Sequence, residues 1–261
     1  VVVGPAPKKS LGQHWLHDEL SLEAMVDVAG VQAGDTVLEI GPGLGTLTKE
    51  LLSRDANVVA VEFDHDLAIA LPNRVPHENL RVIEHDILSF DFTQLPAGYK
   101  IAANIPYYLT SNLLRVMCES SNPFDAAALL IQKEVAERVA AKPGDMSLLS
   151  VSVQFYCEVQ LSVVVPAALF TPPPKVDSQI LGLRYRKEPL FPDVDTKQFF
   201  RIVKAGFSAR RKKLRSSLSG GLHISKPDAE ALLQKADIDP NLRAQALSLN
   251  DWHRLYLAYN T

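Results

Sequence analysis

The spacing of apolar residues changes period along this chain, and the changes define its elements. Asp18–Gly30 has hydrophobic residues at helical spacing, with Asp18 placed as an N-cap and Gly30 as a stop. Thr36–Ile40, Asn57–Glu62, Leu80–Glu84, Tyr99–Ala103 and Ala126–Ile131 are short, β-rich apolar runs, with helical patterns interleaved at Thr46–Ser53, Asp64–Arg74 and Thr110–Cys118. Strands alternating with helices predict a mainly parallel sheet covered on both faces. Ser147–Tyr156 then reads as helix, and two further β-rich runs, Glu158–Val165 and Gln179–Tyr185, flank the Pro-rich loop Pro166–Lys175. With no helix between them, these runs predict an antiparallel pair closing one sheet edge. From Thr196 onward only short helical patterns remain, at 196–206, 210–218, 227–236 and 251–259, and Pro189 and Pro192 mark Lys187–Asp195 as a hinge. The expected organisation is an α/β domain over 1–187 and a small all-α domain over 188–261.

Composition narrows the class. With 261 residues, 47% of them hydrophobic, the chain has enough apolar surface for a full core, which excludes disordered, collagen-like and disulfide-scaffold classes. The net charge of −3 conceals an asymmetry. Residues 188–261 carry 12 Lys and Arg against 8 Asp and Glu, whereas 1–187 carry 15 against 22. Six of the C-terminal cations, Lys204, Arg210, Arg211, Lys212, Lys213 and Arg215, crowd into one segment suited to polyphosphate. Cys118 and Cys157 lack metal-ligand spacing and read as buried free thiols, so no metal is expected. No run is long and apolar enough to span a membrane, and the apolar start Val1–Pro7 is too short for a secretory signal. A cytoplasmic protein, monomeric and without a membrane partner, is expected.

Candidate chemistry gathers at the carboxyl ends of the predicted strands. Gly41-Pro42-Gly43-Leu44-Gly45 is a strand-to-helix turn that lets backbone approach a ligand, but Thr46 stands where a dinucleotide fingerprint requires its third glycine. Glu62, ending the next strand, has the chemistry to accept from both ribose hydroxyls of a nucleoside cofactor, and Asp86, past the third, to accept from an adenine amine. Asp86 equally suits a turn-capping role. After the fourth strand, Asn104-Ile105-Pro106-Tyr107 combines an amide and exposed carbonyls for an exocyclic amine with a proline-fixed turn and an aromatic stacking face. Phe170 is a candidate second stacking wall.

These residues stand within longer motifs. SLGQHWL (10–16), LEIGPGLGTLT (38–48), VEFD (61–64), HDIL (85–88), NIPYYLTSNLL (104–114), FTPPPKVDS (170–178) and AGFSARRKKLRSSL (205–218) follow in order over nearly the whole chain. Together they resemble the ribosomal RNA adenine dimethyltransferases, and within them the small-subunit type, which modifies two adjacent adenines near the 3′ end of 16S rRNA. The resemblance implies a Rossmann-like class I methyltransferase fold with a small helical domain, and S-adenosylmethionine as cosubstrate. It further implies cofactor contacts from His14, Leu16, Gly41, Gly43, Glu62, Asp86, Ile87 and Asn104, a catalytic loop of Asn104, Ile105, Pro106 and Tyr107 with Phe170, and RNA contacts from the basic segment. Many relatives carry Asn and Phe where this chain has His14 and Trp15. Three other readings share part of the pattern: a nicotinamide-dependent oxidoreductase, a large-subunit rRNA methyltransferase of the antibiotic-resistance type, and a noncatalytic RNA-binding assembly or transcription factor on the same fold.

Overall fold

A computed structural model describes Lys8 and residues 12–261; the apolar start Val1–Pro7 and the first two residues of the SLGQHWL motif lie outside the described residues. The chain forms two compact units, one of residues up to Ala136 with Cys157–Tyr185, the other of Glu137–Tyr156 with Arg186–Thr261. In the first unit the strands are β1 (Trp15–Leu16), β2 (Thr36–Ile40), β3 (Asn57–Glu62), β4 (Leu80–Glu84), β5 (Lys100–Asn104), β6 (Ala126–Gln132), β7 (Cys157–Val165), β8 (Phe170–Thr171) and β9 (Ser178–Tyr185). Its helices are α1 (Glu19–Ala29), α2 (Thr46–Ser53), α3 (His65–Arg74) and α4 (Thr110–Cys118), with α5 (Lys133–Val139) crossing the division between the units. Seven strands form one sheet in the order β4-β3-β2-β5-β6-β9-β7. The first five run parallel; β9 is antiparallel to β6, and β7 to β9. The later strand therefore takes the inner position and β7 becomes the edge. Chain order reverses between β2 and β5, the place where an open α/β sheet leaves a crevice at its strand ends.

Local chemistry explains the boundaries. Asp18 caps α1 by accepting from Ser21 N–H, and Gly30 ends it at φ 63°, a conformation that costs glycine little. Val37, Leu38 and Ile40 of β2 are buried, as are Ile101, Ala102 and Ala103 of β5, because helices cover both faces of the sheet. Cys118 and Cys157 are buried thiols, not joined by a disulfide, with sulfurs 4.0 Å apart.

The second unit contains α6 (Leu148–Tyr156), α7 (Thr196–Phe207), α8 (Leu214–Leu222), α9 (Lys226–Lys235) and α10 (Leu249–Asn260). A single cut at 187/188 does not describe this division. Met146, Val151 and Phe155 belong to the same hydrophobic cluster as Phe191, Phe199, Leu218 and Trp252, so α6 joins the helical unit instead of the sheet. The helix expected over 210–218 starts instead at Leu214. Ser208 closes α7, its Oγ donating to the Ala205 carbonyl at 2.7 Å, and Leu214, fully buried with its N–H on the Leu242 carbonyl at 2.7 Å, starts the next helix. Residues Ala209–Lys213 form the turn between, and Arg210, Arg211, Lys212 and Lys213 are exposed on it.

Candidate functional site

A cavity of about 370 Å³ opens at the carboxyl ends of β2 and β5, where the chain order reverses. Its lining brings together His14, Leu16, Gly41, Gly43, Glu62, Asp86, Ile87, Asn104, Ile105, Pro106 and Tyr107. The glycine turn after β2 supplies one wall. Gly41, at φ 65°, has nothing within 4 Å of the position a Cβ would occupy, so it leaves room at the backbone. At Gly43, φ 56°, a Cβ would lie 2.5 Å from the Trp15 ring. Only glycine lets that indole lie against the turn.

Glu62 is buried at the end of β3. Its Oε2 accepts from Gly43 N–H at 3.1 Å and its Oε1 from Asp64 N–H at 2.9 Å. Burial pushes its carboxyl above the ordinary range, while those two N–H groups oppose the shift. Each oxygen retains a lone pair for a hydroxyl donor. Asp86 is exposed at the rim and also caps a turn, its Oδ1 accepting from Leu88 N–H at 3.0 Å, so the turn-capping and cavity-lining roles coincide.

A strap formed by residues 12–16 covers the β5 side. Asn104 Nδ2 donates to the His14 carbonyl at 3.0 Å, and His14 Nδ1 lies 2.7 Å from the Pro172 carbonyl, which requires the proton on that nitrogen. The His14 ring therefore anchors the strap. β1 pairs antiparallel with β8, Trp15 opposite Thr171 and Leu16 opposite Phe170. Lys8 Nζ bonds Asp64 and Asp66, each at 3.0 Å, at the cap of α3. Tyr107 stacks on His14 with ring centroids 5.9 Å apart at 22°, and its hydroxyl is 2.9 Å from Ser178 Oγ. Phe170 does not form a second stacking wall. It is 3% exposed, absent from the cavity lining and packed in the hydrophobic core with Leu16, because the β1–β8 ladder turns its ring inward.

Trp15, Glu39, Phe63 and Tyr108 are among the lining residues that lie outside the sequence-based set. Glu39 is 1% exposed and neither carboxyl oxygen has a hydrogen-bond partner among the described residues. Burial pushes its pKa up to about 8; the nearby Thr48 hydroxyl opposes this from outside hydrogen-bond geometry, and the Glu62 charge adds to it. A charged residue inside the apolar run TVLEI was a visible signal for it. Folded Glu39 thus holds its proton well above the ordinary glutamate pKa of 4.5, so folding stability falls as pH rises from about 4.5 to about 8. In Glu39→Gln this decline is expected to lose on the order of a few kcal/mol of amplitude. Thermal midpoints of both proteins between pH 5 and pH 9 measure it; equal slopes would contradict the buried, protonated state.

A mainly parallel sheet with a nucleoside-sized cavity at its reversal point, glycine turn on one side and Asn-Ile-Pro-Tyr on the other, defines a class I S-adenosylmethionine-dependent methyltransferase fold. The model of the ribosomal RNA adenine dimethylase family matches residues 6–261, and the chain belongs to that family. It is 42% identical over 256 residues to the ribosomal RNA small subunit methyltransferase A of Dehalococcoides mccartyi strain CBDB1, covering 97% of this chain and 88% of that protein. It is 38% identical to the protein of the same name from Streptococcus thermophilus strain ATCC BAA-250, covering 95% and 90%. Among solved structures, a dimethyladenosine transferase from Plasmodium falciparum superposes with a TM-score of 0.81 at 27% identity, covering 95% of this chain and 98% of that one. The 23S rRNA methyltransferase ErmE superposes with a TM-score of 0.75 at 28% identity, covering 95% and 100%.

Proposed function

We propose that this protein dimethylates N6 of two adjacent adenines near the 3′ end of small-subunit rRNA, as a cytoplasmic monomer acting on the small ribosomal subunit. The observation that carries this reading is Asn104, whose amide nitrogen is tied to the His14 carbonyl at 3.0 Å while its side chain lines the cavity. That tether leaves Oδ1 as acceptor for an exocyclic amine. The 42% identity to a small-subunit enzyme, against 28% to a 23S enzyme, supports the small subunit as substrate.

The residues present fit S-adenosylmethionine. Glu62 offers two carboxylate oxygens to ribose hydroxyls, and Asp86, Ile87 and the exposed Phe63 suit an adenine at the rim. Glu39, buried with no hydrogen-bond partner among the described residues, suits the cationic methionine end, beside which it would give up its proton. When bound, the cosubstrate supplies an electrophilic sulfonium methyl group. The chain's own residues do the positioning. Adenine N6 is a poor nucleophile because its lone pair is delocalised into the ring. Hydrogen bonds from N6–H to Asn104 Oδ1 and to a backbone carbonyl favour a tetrahedral nitrogen and fix its direction. The Pro106 carbonyl already accepts from Leu109 N–H at 3.0 Å, which favours Ile105 as that second acceptor. The acceptor base, taken out of its stack, rests on the Tyr107 ring held by Ser178. No strong base is needed, since N6 becomes strongly acidic as it is methylated. Calorimetric titration with S-adenosylmethionine and with NAD tests the cofactor: micromolar binding of the first alone is expected, and binding of NAD alone would overturn the reading.

The exposed Arg210, Arg211, Lys212 and Lys213, with exposed Lys204, supply phosphate contacts. Arg215 is half-buried and ion-paired with Glu230, so it contributes less than the others. Replacing Arg210, Arg211 and Lys213 by glutamine is expected to weaken RNA binding and to reduce the slope of log affinity against log salt by about two to three. Filter binding at several salt concentrations measures both, and an unchanged slope would remove the turn from the interface.

A further inference from the structure

Tyr107 and Tyr108 follow one another in the turn after β5 and have opposite fates. Tyr107 is half-buried, stacked on His14 and hydrogen-bonded to Ser178. Tyr108 is 60% exposed at the mouth of the same cavity, and its hydroxyl has no hydrogen-bond partner among the described residues. Its ring nevertheless lies beside the strap. Cδ1 and Cε1 lie 3.6 Å from the position a Cβ on Gly12 would occupy, so the ring rests against the strap where that residue has no side chain. The turn beneath it is rigid, with Leu109 N–H on the Pro106 carbonyl at 3.0 Å and Thr110 Oγ1 on the Tyr107 carbonyl at 3.2 Å, running directly into α4.

A large aromatic side chain left in water gains nothing for folding, yet this one stands on a fixed turn at the entrance, four residues from the Asn104 amide. A strand that delivers one base into the cavity loses that base from its stack, and the neighbouring base is left with one uncovered face. An exposed tyrosine ring is suited to cover it, since stacking on an aromatic side chain is indifferent to base identity. Resting on the function proposed above, we infer that Tyr108 stacks on the nucleotide adjoining the acceptor adenine and so replaces the stacking partner lost on extrusion. It is a substrate-binding residue, distinct from Asn104 and Tyr107, which act on the acceptor base itself.

Methyl transfer to small ribosomal subunits lacking the modification provides the test, with wild type, Tyr108→Ala and Tyr108→Phe measured together. Tyr108→Ala is expected to raise KM for the subunits about 10-fold with kcat within about twofold, and Tyr108→Phe to restore KM to within about twofold of wild type. Affinity for S-adenosylmethionine, measured by calorimetry without RNA, and the thermal midpoint should be the same in all three. An unchanged KM in Tyr108→Ala overturns the inference while leaving the function intact. So does a loss of cofactor affinity with KM unchanged, which would make Tyr108 a support for the strap. If wild type itself transfers no methyl group to the subunits, the proposed function falls and takes this inference with it.

Discussion

Replacing Asn104 with alanine is expected to lower kcat for methyl transfer by about 10²–10³-fold with the fold intact, the loss seen when a preorganised hydrogen-bonding group is removed from a reacting centre. Asn104 ends β5, paired with Leu130 of β6, so the backbone is fixed by the sheet and the substitution removes only the amide. Asn104→Asp separates the two functions of that amide. It keeps an acceptor for N6–H but sets a carboxylate against the His14 carbonyl that now receives a hydrogen bond. Activity is therefore expected to remain well below wild type, with the strap loosened. Single-turnover kinetics with saturating cofactor, together with circular dichroism of the variants, measure this. Near-wild-type turnover in Asn104→Ala would remove the amide from the chemistry.

Glu62→Ala is expected to raise the dissociation constant for S-adenosylmethionine by about 10²–10⁴-fold. Hydrogen bonds to a charged acceptor contribute roughly 1.5–3 kcal/mol each, and the carboxylate is placed to receive two from the ribose. The variant also strands the Gly43 and Asp64 N–H groups that Glu62 now accepts from, which loosens the glycine turn beneath Trp15. Glu62→Gln retains an acceptor without the charge and should fall between the two. Calorimetry with cofactor alone separates this from any effect on RNA, and an affinity within a few-fold of wild type in Glu62→Ala would place the ribose elsewhere.

The sheet could be read from the sequence because its strands are short, apolar and separated by helices of regular period, and position along it identified the cavity. Gly41, Glu62, Asp86 and Asn104 each stand at a strand's end or within two residues of it, and the reversal of chain order brings those ends together. What periodicity could not show was pairing between distant short segments. β1 and β8 have two residues each, too few to carry a period, yet their ladder sets the strap over the cavity and buries Phe170. An aromatic residue before three prolines looks the same in sequence whether it faces a ligand or a core. The basic segment had a helical pattern, but tertiary docking of Leu214 decided where the helix begins and left four cations in a turn. Likewise α6 has an apolar face that fits either a sheet or a helical cluster, and only its packing on Phe191 and Phe199 assigns it.

Methyl transfer from labelled S-adenosylmethionine to small ribosomal subunits lacking the modification, followed by digestion to nucleosides and mapping of the labelled fragment, is the most direct measurement. The predicted result is N6,N6-dimethyladenosine in the 3′-terminal fragment of the small-subunit rRNA, formed about 10²–10³-fold more slowly with Asn104→Ala. Label on large-subunit rRNA alone, on a base other than adenine, or on no RNA at all would contradict it.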